Sequence, residues 1–362
     1  MTTVNLHIGT FKTGTSYLQS VLVHSQSQLA DVGVLWPGGA WADQVAATKG
    51  LMTSRPGKRQ AWDKLMAEVD AWSGGSAIIS METLSMASPS AVRRAASSLR
   101  DHRVRVILTA RDLGRVIPAQ WQESVQNGKS WSYETYLDGV VNGSEGDRAY
   151  DHFWNKHDWA GILRTWSAVA DDAELVLVTV PPSGAPRGLL WERFCAGVSL
   201  DSTAYDATTS VNESLGAASA EVLRYVSAAL EDRDTHRQTS RVLKKTLAKG
   251  VLNGRKSAEP TLVLPHHLQE WAVERSRTLI ADLAAVETTT IGTLEDLEPR
   301  FAGRADSETE NPSSLPVEDL LATAGFGLAA LCNIMAENGL APRGYGPDDS
   351  TPRRVARREK RQ

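Results

Sequence analysis

The stretch Val4-Asn-Leu-His-Ile-Gly-Thr-Phe-Lys-Thr-Gly-Thr-Ser16 decides the fold. It starts as a short apolar run typical of a buried strand and passes through a turn bracketed by Gly9 and Gly14 into a helical pattern. A strand, a glycine turn and a helix start direct unpaired backbone N–H groups and the positive helix end to one point. The stretch therefore predicts a binding site for an anion, with Lys12 as a mobile cation inside the turn.

The position of the lysine separates this loop from the loop that binds nucleoside triphosphates. That loop reads G-x-x-x-x-G-K-[ST], with the lysine directly after the second glycine and a hydroxyl that holds Mg²⁺. Here Gly9 and Gly14 have the same separation, but Thr15 stands in the lysine place and the lysine is Lys12. The spacing predicts a loop for a phosphate-like anion without the usual triphosphate and Mg²⁺ machinery.

The remainder of the chain predicts an α/β fold. Helical patterns alternate with short, nearly continuous apolar runs, which are typical of parallel strands covered on both faces. The predicted strands are Val4–Ile8, Ser76–Ser80, Val104–Thr109 and Glu174–Val180. We expect a P-loop type, doubly wound parallel sheet with helices on both faces and a helical C-terminal extension, with the site beyond the carboxyl ends of the strands.

The predicted organisation is one large domain and three shorter parts. Residues 1–300 form the P-loop domain, and residues 301–316, rich in Ser, Glu, Asp and Pro, form a linker. Residues 317–340 form a C-terminal helix ended by Gly339. Residues 341–362 form a disordered basic tail, in which the last twelve residues hold six basic side chains and one acidic side chain.

Composition restricts the class of protein. With 41% hydrophobic and 23% charged residues among 362, the chain is globular, and its net charge of −4 gives no reason to expect a nucleic-acid partner. Two cysteines are too few for a disulfide framework or a cysteine-based zinc site.

No signal-peptide pattern is present, and the longest apolar stretch, Leu320–Met335, is too short to cross a bilayer. We therefore expect a cytoplasmic protein without a membrane span or a metal.

The stretch His7-Ile-Gly-Thr-Phe-Lys-Thr-Gly-Thr-Ser-Tyr-Leu-Gln19 resembles the 5′-phosphosulfate loop of the sulfotransferase family. The resemblance covers roughly residues 1–300 and implies that 3′-phosphoadenosine 5′-phosphosulfate (PAPS) is the donor substrate. It implies a catalytic role for Lys12 beside the transferred group. It also implies that the donor is bound by Gly9, Thr10, Phe11, Lys12, Thr13, Gly14, Thr15 and Ser16.

A second family signature, whose arginine and serine hold the 3′-phosphate of the nucleotide, is matched in part after the third predicted strand. Arg111 matches the arginine, which suits bidentate pairing with phosphate. The sequence departs from the pattern at Leu113, Arg115 and Ala119, where the family has proline, a differently placed arginine and serine. These departures predict a 3′-phosphate site that is either weakened or rebuilt with other donors, such as Arg115, Gln120 or Gln122. Alternatively, Arg111 forms a strand-end ion pair with Asp112.

Catalysis needs a base for the attacking hydroxyl or amine. Glu82 follows the strand Ser76–Ser80 and resembles the glutamate that one branch of the family uses, and partial burial would raise its pKa. A plain loop glutamate would look the same in sequence. Histidine is the rival base, with His152 and His157 as the better-placed candidates and a helix cap as their alternative role.

Three functions are consistent with these residues. The first is transfer of a sulfuryl group from PAPS to a hydroxyl or amine of a small-molecule or glycan acceptor. The second is nucleotide or partner binding without catalysis, motivated by Ala119, and the third is an ATP-dependent kinase. The acceptor pocket has one weak indication in sequence, because tryptophans crowd the middle of the chain at Trp121, Trp131, Trp154, Trp159 and Trp166. Most tryptophans are core residues.

Overall fold

The structure is a computed structural model, and it describes residues 1–338 except 54, 208–214, 231–238, 240, 302, 304 and 306. The predicted helix end at Gly339 and the predicted basic tail at 341–362 therefore lie outside the described residues.

The centre of the protein is a six-stranded sheet in which every pair of neighbouring strands is parallel. Its strands are β1 (Thr3–His7), β2 (Val34–Leu35), β3 (Ser76–Ser80), β4 (Arg103–Ala110), β5 (Glu174–Thr179) and β7 (Thr289–Ile291). The order across the sheet is β2-β3-β1-β4-β5-β7, so the chain passes from β1 to the edge strand β2, returns to β3 beside β1, and then adds β4, β5 and β7 on the other side. A second, two-stranded parallel sheet pairs β6 (Thr261–Leu262) with β8 (Glu308–Thr309), which lies within the predicted linker.

Helices cover both faces of the sheet. The α-helices are α1 (Thr15–His24), α2 (Gln26–Asp31), α3 (Trp41–Met52), α4 (Gln60–Asp70), α5 (Pro89–Leu99), α6 (Leu113–Gln126), α7 (Tyr133–Asn142), α8 (Arg148–His157), α9 (Trp159–Ser167), α10 (Leu189–Val198), α11 (Ala217–Leu230), α12 (Gln269–Leu283) and α13 (Val317–Glu337). A π-helix spans Val242–Val251, and short 3-10 turns join several elements.

The burial pattern of β3 explains why the sheet is doubly covered. Ala77 and Ile79 belong to one hydrophobic core, whereas Ile78 belongs to the other, and all three are fully buried. Successive strand side chains point to opposite faces, so a strand with apolar residues at every position needs a layer of helices on each side. The predicted fold class, a doubly wound parallel sheet with helices on both faces and a helical C-terminal region, is confirmed.

The C-terminal helix α13 lies within the predicted range of residues 317–340. It runs for 21 residues, long and apolar enough to cross a membrane, whereas the apolar stretch Leu320–Met335 alone is too short. Only 11% of its most apolar window is buried, and Leu321 and Leu328 are exposed. Core helices and signal sequences meet the same criterion, so a single helix of this kind is weak evidence for a membrane span.

Register brings three strand ends to one place. His7 at the end of β1 lies between Ser80 of β3 and Ile107 of β4. The segments that follow these strands carry the predicted anion-binding loop, Glu82 and Arg111, so the carboxyl edge of the sheet gathers all three.

Candidate active site

The loop between β1 and α1 has the backbone conformation of an anion cradle. Lys12 and Gly14 both have left-handed φ angles, of 63° and 87°, and α1 begins directly afterwards at Thr15. Across the described residues, no hydrogen bond uses the backbone N–H of residues 11–16. Consecutive free N–H groups at a helix start attract an anion, because the helix end is positive.

Threonine hydroxyls fasten this loop to the sheet. Thr10 donates to the Thr109 carbonyl from both its N–H and its hydroxyl, each over 3.0 Å. The Thr13 hydroxyl donates to the Thr10 carbonyl over 2.6 Å and lies 2.7 Å from the Thr109 hydroxyl. All three threonines are buried, so the loop is held in its shape before any ligand binds.

Gly9 is enclosed by this hydroxyl network, and we expect Gly9→Ala to lower the free energy of unfolding by about 1–3 kcal/mol. A Cβ at residue 9 would lie 2.8 Å from Thr109 Oγ1, 2.9 Å from His7 Nε2 and 2.9 Å from Thr15 Oγ1. Urea unfolding followed by circular dichroism measures the change. In Gly57→Ala the added Cβ meets nothing within 4 Å, and a shift beyond about 0.5 kcal/mol is not expected. Equal stability of the two variants would contradict the tight enclosure.

Lys12 faces two charged side chains that the sequence did not single out. Its Nζ lies 3.9 Å from Glu123 Oε2 on α6, and both side chains keep about a quarter of their surface exposed, 27% and 22%. Lys244, from the π-helix, interacts electrostatically with Glu123, Lys12 and Glu82. Burial lowers the pKa of Lys244 from its ordinary value. The cation inside the turn is therefore accessible to a ligand.

Glu82 lies at the same edge of the sheet and interacts electrostatically with Glu123 and Lys244. It opens a 3-10 turn two residues after β3, and its Oε2 is buried without a hydrogen-bond partner among the described residues. Burial raises the pKa of Glu82, and the Glu123 carboxylate raises it further, while Gln19 and Lys244 oppose the rise. A carboxylate with one unpaired oxygen and a raised pKa is suited to accept a proton.

Arg111 contacts the phosphate loop directly. Its guanidinium donates from Nη1 to the Lys12 carbonyl over 3.1 Å, and its Nε is buried without a partner in the described part of the chain. Burial, with the neighbouring Arg115 charge, lowers the pKa of Arg111 to about 10, so the group stays charged at neutral pH. The free donor beside the loop can bind an anionic oxygen.

Arg115 is partly engaged by the protein. It pairs with Asp112, the N-cap residue of α6, and donates to the Pro181 carbonyl over 3.0 Å. Its Nη2 is buried and has no partner among the described residues. Of the other donors considered at this site, Gln122 gives its amide N–H to the Leu215 carbonyl over 2.8 Å. The ion pair expected as an alternative for Arg111 is thus made by Arg115.

The histidines differ in their access to the loop. Burial lowers the pKa of His7 to about 3, and its ring contacts Ser80 and Thr109, so it supports the strand ends as a neutral group. His157 is fully buried, and neither ring nitrogen has a partner among the described residues. His152 lies 2.7 Å from the Ser124 hydroxyl, next to Glu123 in sequence, and burial lowers its pKa to about 4.

The structure thus brings most of the predicted residues to one edge of the sheet. Phe11 is buried, Ser16 is exposed, and the Thr15 hydroxyl is buried without a partner among the described residues. Sequence reasoning missed Glu123 and Lys244, since an acid within a helix and a lysine in a basic segment carry no distinguishing pattern. Within the described residues, no group of three or more His, Cys, Asp or Glu side chains could hold a metal ion.

Comparison with known proteins adds one structural similarity. No protein-family model matches the sequence, and no curated protein is a significant match. The crystal structure of a sulfotransferase from Alicyclobacillus acidocaldarius matches 64% of this chain and 98% of that chain, with 13% identity and a TM-score of 0.34. Similarity at this level carries no argument about activity or residue roles, and the α/β class rests on the strand order and register described above.

Proposed function

We propose that the protein transfers a sulfuryl group from PAPS to a hydroxyl or amine of a small-molecule or glycan acceptor. The observation that carries the proposal is the phosphate loop, in which the lysine lies inside the turn beside free N–H groups. A triphosphate loop has its lysine after the second glycine instead. That difference favours a donor whose reacting group sits within the turn over the ATP-dependent kinase considered from sequence.

The residues present fit the two anionic ends of such a donor. The N–H groups of residues 11–16, which have no partner among the described residues, and the partly exposed Lys12 ammonium suit the 5′-phosphosulfate. Nε of Arg111 and Nη2 of Arg115, both buried and without a partner among the described residues, suit the 3′-phosphate, and they offer donors where Ala119 supplies no hydroxyl.

The proposed reaction is an in-line displacement at sulfur. The acceptor oxygen or nitrogen forms its bond to sulfur while the bond from sulfur to the bridging oxygen breaks, which releases adenosine 3′,5′-bisphosphate. Glu82 takes the acceptor proton, as its raised pKa and unpaired oxygen favour. Lys12 and the loop N–H groups neutralise the charge that grows on the leaving oxygen.

The first test is calorimetric titration with adenosine 3′,5′-bisphosphate. We expect saturable binding that Arg111→Gln weakens by about tenfold or more, since a charged hydrogen-bond donor to phosphate is worth about 1.5–3 kcal/mol. Arg93→Gln, at an exposed position on α5, is the matched control and should bind like the unaltered protein.

Absence of binding by the folded protein would refute the donor assignment. A nucleotide-binding protein without catalysis is the second candidate, because Arg115 is already paired with Asp112 and Ala119 lacks a hydroxyl. Binding of the bisphosphate without sulfuryl transfer from PAPS to any acceptor tested would favour this second function.

A further inference from the structure

A cavity of about 350 Å³ adjoins the phosphate loop. Three cationic side chains line it against one carboxylate, Asp151, and that carboxylate accepts the Gly146 N–H over 3.2 Å. The side chains that define the cavity are Lys129, Arg148, Lys156, Trp131, Met86 and Asp151. The cavity is therefore positively charged and has an aromatic wall.

Lys156 is the buried cation of this cavity. Only 8% of its surface is exposed, and its Nζ lies 4.9 Å above the centroid of the Phe11 ring and 3.1 Å from His152 Nε2. No ion pair among the described residues joins Lys156 to a carboxylate. A buried ammonium is costly unless an anion accompanies it, and the Glu123 carboxylate acts on Lys156 electrostatically without forming such an ion pair. A bound anion would supply the direct contact.

The charges around Lys156 are mixed, because the Glu123 carboxylate favours its charged form, Lys129 disfavours it, and Asp151 is the carboxylate of the cavity lining. Burial lowers the pKa of His152 to about 4, so its ring is neutral at pH 7. Burial also lowers the pKa of Lys156 to about 8, which leaves the amine mostly protonated at pH 7. The Lys129 ammonium lies 5.5 Å from the centroid of the Trp131 ring, so a second cation stands at the aromatic wall.

The cavity lies where an acceptor would approach the loop. Phe11, under Lys156, is part of the phosphate loop, and Met86 is the last residue of the turn that Glu82 opens. His152 contacts Ser124, the residue after Glu123, which pairs with Lys12. Two lining residues therefore connect the cavity to its surroundings: Lys156 contacts the loop at Phe11, and Met86 belongs to the turn that carries the proposed base.

We propose that this cavity selects an acceptor that carries an anionic group, a carboxylate or a phosphate, and that Lys156 binds this group with Lys129 and Arg148. A ring of the acceptor, aromatic or sugar, lies against Trp131, because tryptophan offers a flat apolar face. The inference rests on the proposed sulfuryl transfer, since it treats the cavity as the acceptor site. The inference extends the proposed function by specifying that the acceptor is anionic, which the loop alone does not determine.

Matched pairs of probes test the proposal by calorimetry on protein saturated with adenosine 3′,5′-bisphosphate. One pair is 4-hydroxybenzoate and 4-hydroxybenzyl alcohol, and the other is N-acetylglucosamine 6-phosphate and N-acetylglucosamine. We expect the charged member of at least one pair to bind about tenfold more tightly than the neutral member, the gain typical of one charged hydrogen bond. The pair that shows the difference identifies the ring as aromatic or sugar.

Substitutions assign the difference to the cavity. Lys156→Gln should remove most of the preference for the charged probe, and Lys156→Arg should retain part of it. Lys49→Gln, on the exposed surface of α3, is the matched control and should leave the preference unchanged. If Lys156→Gln does not fold, Arg148→Gln at the exposed rim tests the same charge.

Two results would overturn the inference. One is equal affinity for the charged and neutral members of both pairs, and the other is a preference that survives both Lys156→Gln and Arg148→Gln. Failure of the proposed function is distinguishable, because it is loss of adenosine 3′,5′-bisphosphate binding. A third result is binding of the charged probe that depends on Lys156 in a protein that does not bind the bisphosphate. That result would support the anion site and contradict only its role in sulfuryl transfer.

Discussion

Lys12→Ala is expected to lower the rate of sulfuryl transfer from PAPS by about 10²–10³-fold, the effect typical of removing one preorganised donor to a developing negative charge. In the proposed reaction the Lys12 ammonium stands beside the bridging oxygen of the donor, which gains charge as its bond to sulfur breaks. Because that charge grows toward the transition state, we expect kcat to fall more than the affinity for adenosine 3′,5′-bisphosphate. Single-turnover assays with radiolabelled PAPS measure the change.

The substitution should leave the fold intact. The Lys12 ammonium is 3.9 Å from Glu123 and partly exposed, and an exposed pair of this kind contributes about 0–1 kcal/mol. Residue 12 already adopts a left-handed φ with a Cβ, so alanine adds no new backbone strain. Lys49→Ala, on the exposed surface of α3, is the control for loss of a lysine. Turnover within about twofold of the unaltered protein in Lys12→Ala would remove the proposed mechanism.

The central strands could be predicted because their sequence is nearly continuous apolar residues, which only a sheet covered on both faces can bury. β1, β3, β4 and β5 all fall within the predicted runs or within two residues of them. The edge strands β2 and β7 are only two and three residues long, and no such run marks them.

Helix boundaries were harder to predict from the sequence than the central strands. The helical pattern that begins at Gly14 continues in the sequence to Leu29, but the structure divides it at Ser25 into α1 and α2. The helix α6 was not predicted, since Pro118 lies inside it and proline ordinarily ends a helix. Tertiary packing keeps that helix intact.

The loop residues of the candidate site could be named because their chemistry is local: glycines, a lysine and a helix start within ten residues. Glu123, Lys244 and Lys156 could not, because each comes from a different element and meets the loop only through the fold. Trp131 had been noted only as one of five crowded tryptophans. The structure places Trp121, Trp159 and Trp166 in the core and Trp131 on the charged cavity.

Glu82→Gln is expected to lower turnover by about 10²–10⁴-fold, the usual contribution of a general base. A base must be ionised to accept a proton, and burial together with Glu123 raises the pKa of Glu82. In the unaltered protein kcat/KM should therefore rise with pH through that raised pKa, above the ordinary range for glutamate. In Glu82→Gln the acid limb of this profile should disappear, a change that a purely structural residue would not produce.

Glu82→Gln should lower turnover but should not lower the free energy of unfolding. A glutamate whose pKa is raised by folding holds its proton in the folded state at pH values where the unfolded chain has lost it. The folded state is then penalised as pH rises from the unfolded pKa through the folded pKa. Glutamine carries no charge, so Glu82→Gln should be at least as stable as the unaltered protein at pH 7, by urea unfolding. Glu145→Gln, at an exposed position, is the matched control for both measurements.

These two readouts separate a catalytic carboxylate from a structural one. A catalytic Glu82 is retained despite its cost to folding, so its removal strongly lowers turnover and leaves the folded state as stable or more so. A structural Glu82 would give the reverse pattern, with lower stability and an unchanged acid limb. That reverse pattern would indicate that another group is the base. His152, which contacts Ser124 and lines the charged cavity, would be the next side chain to substitute.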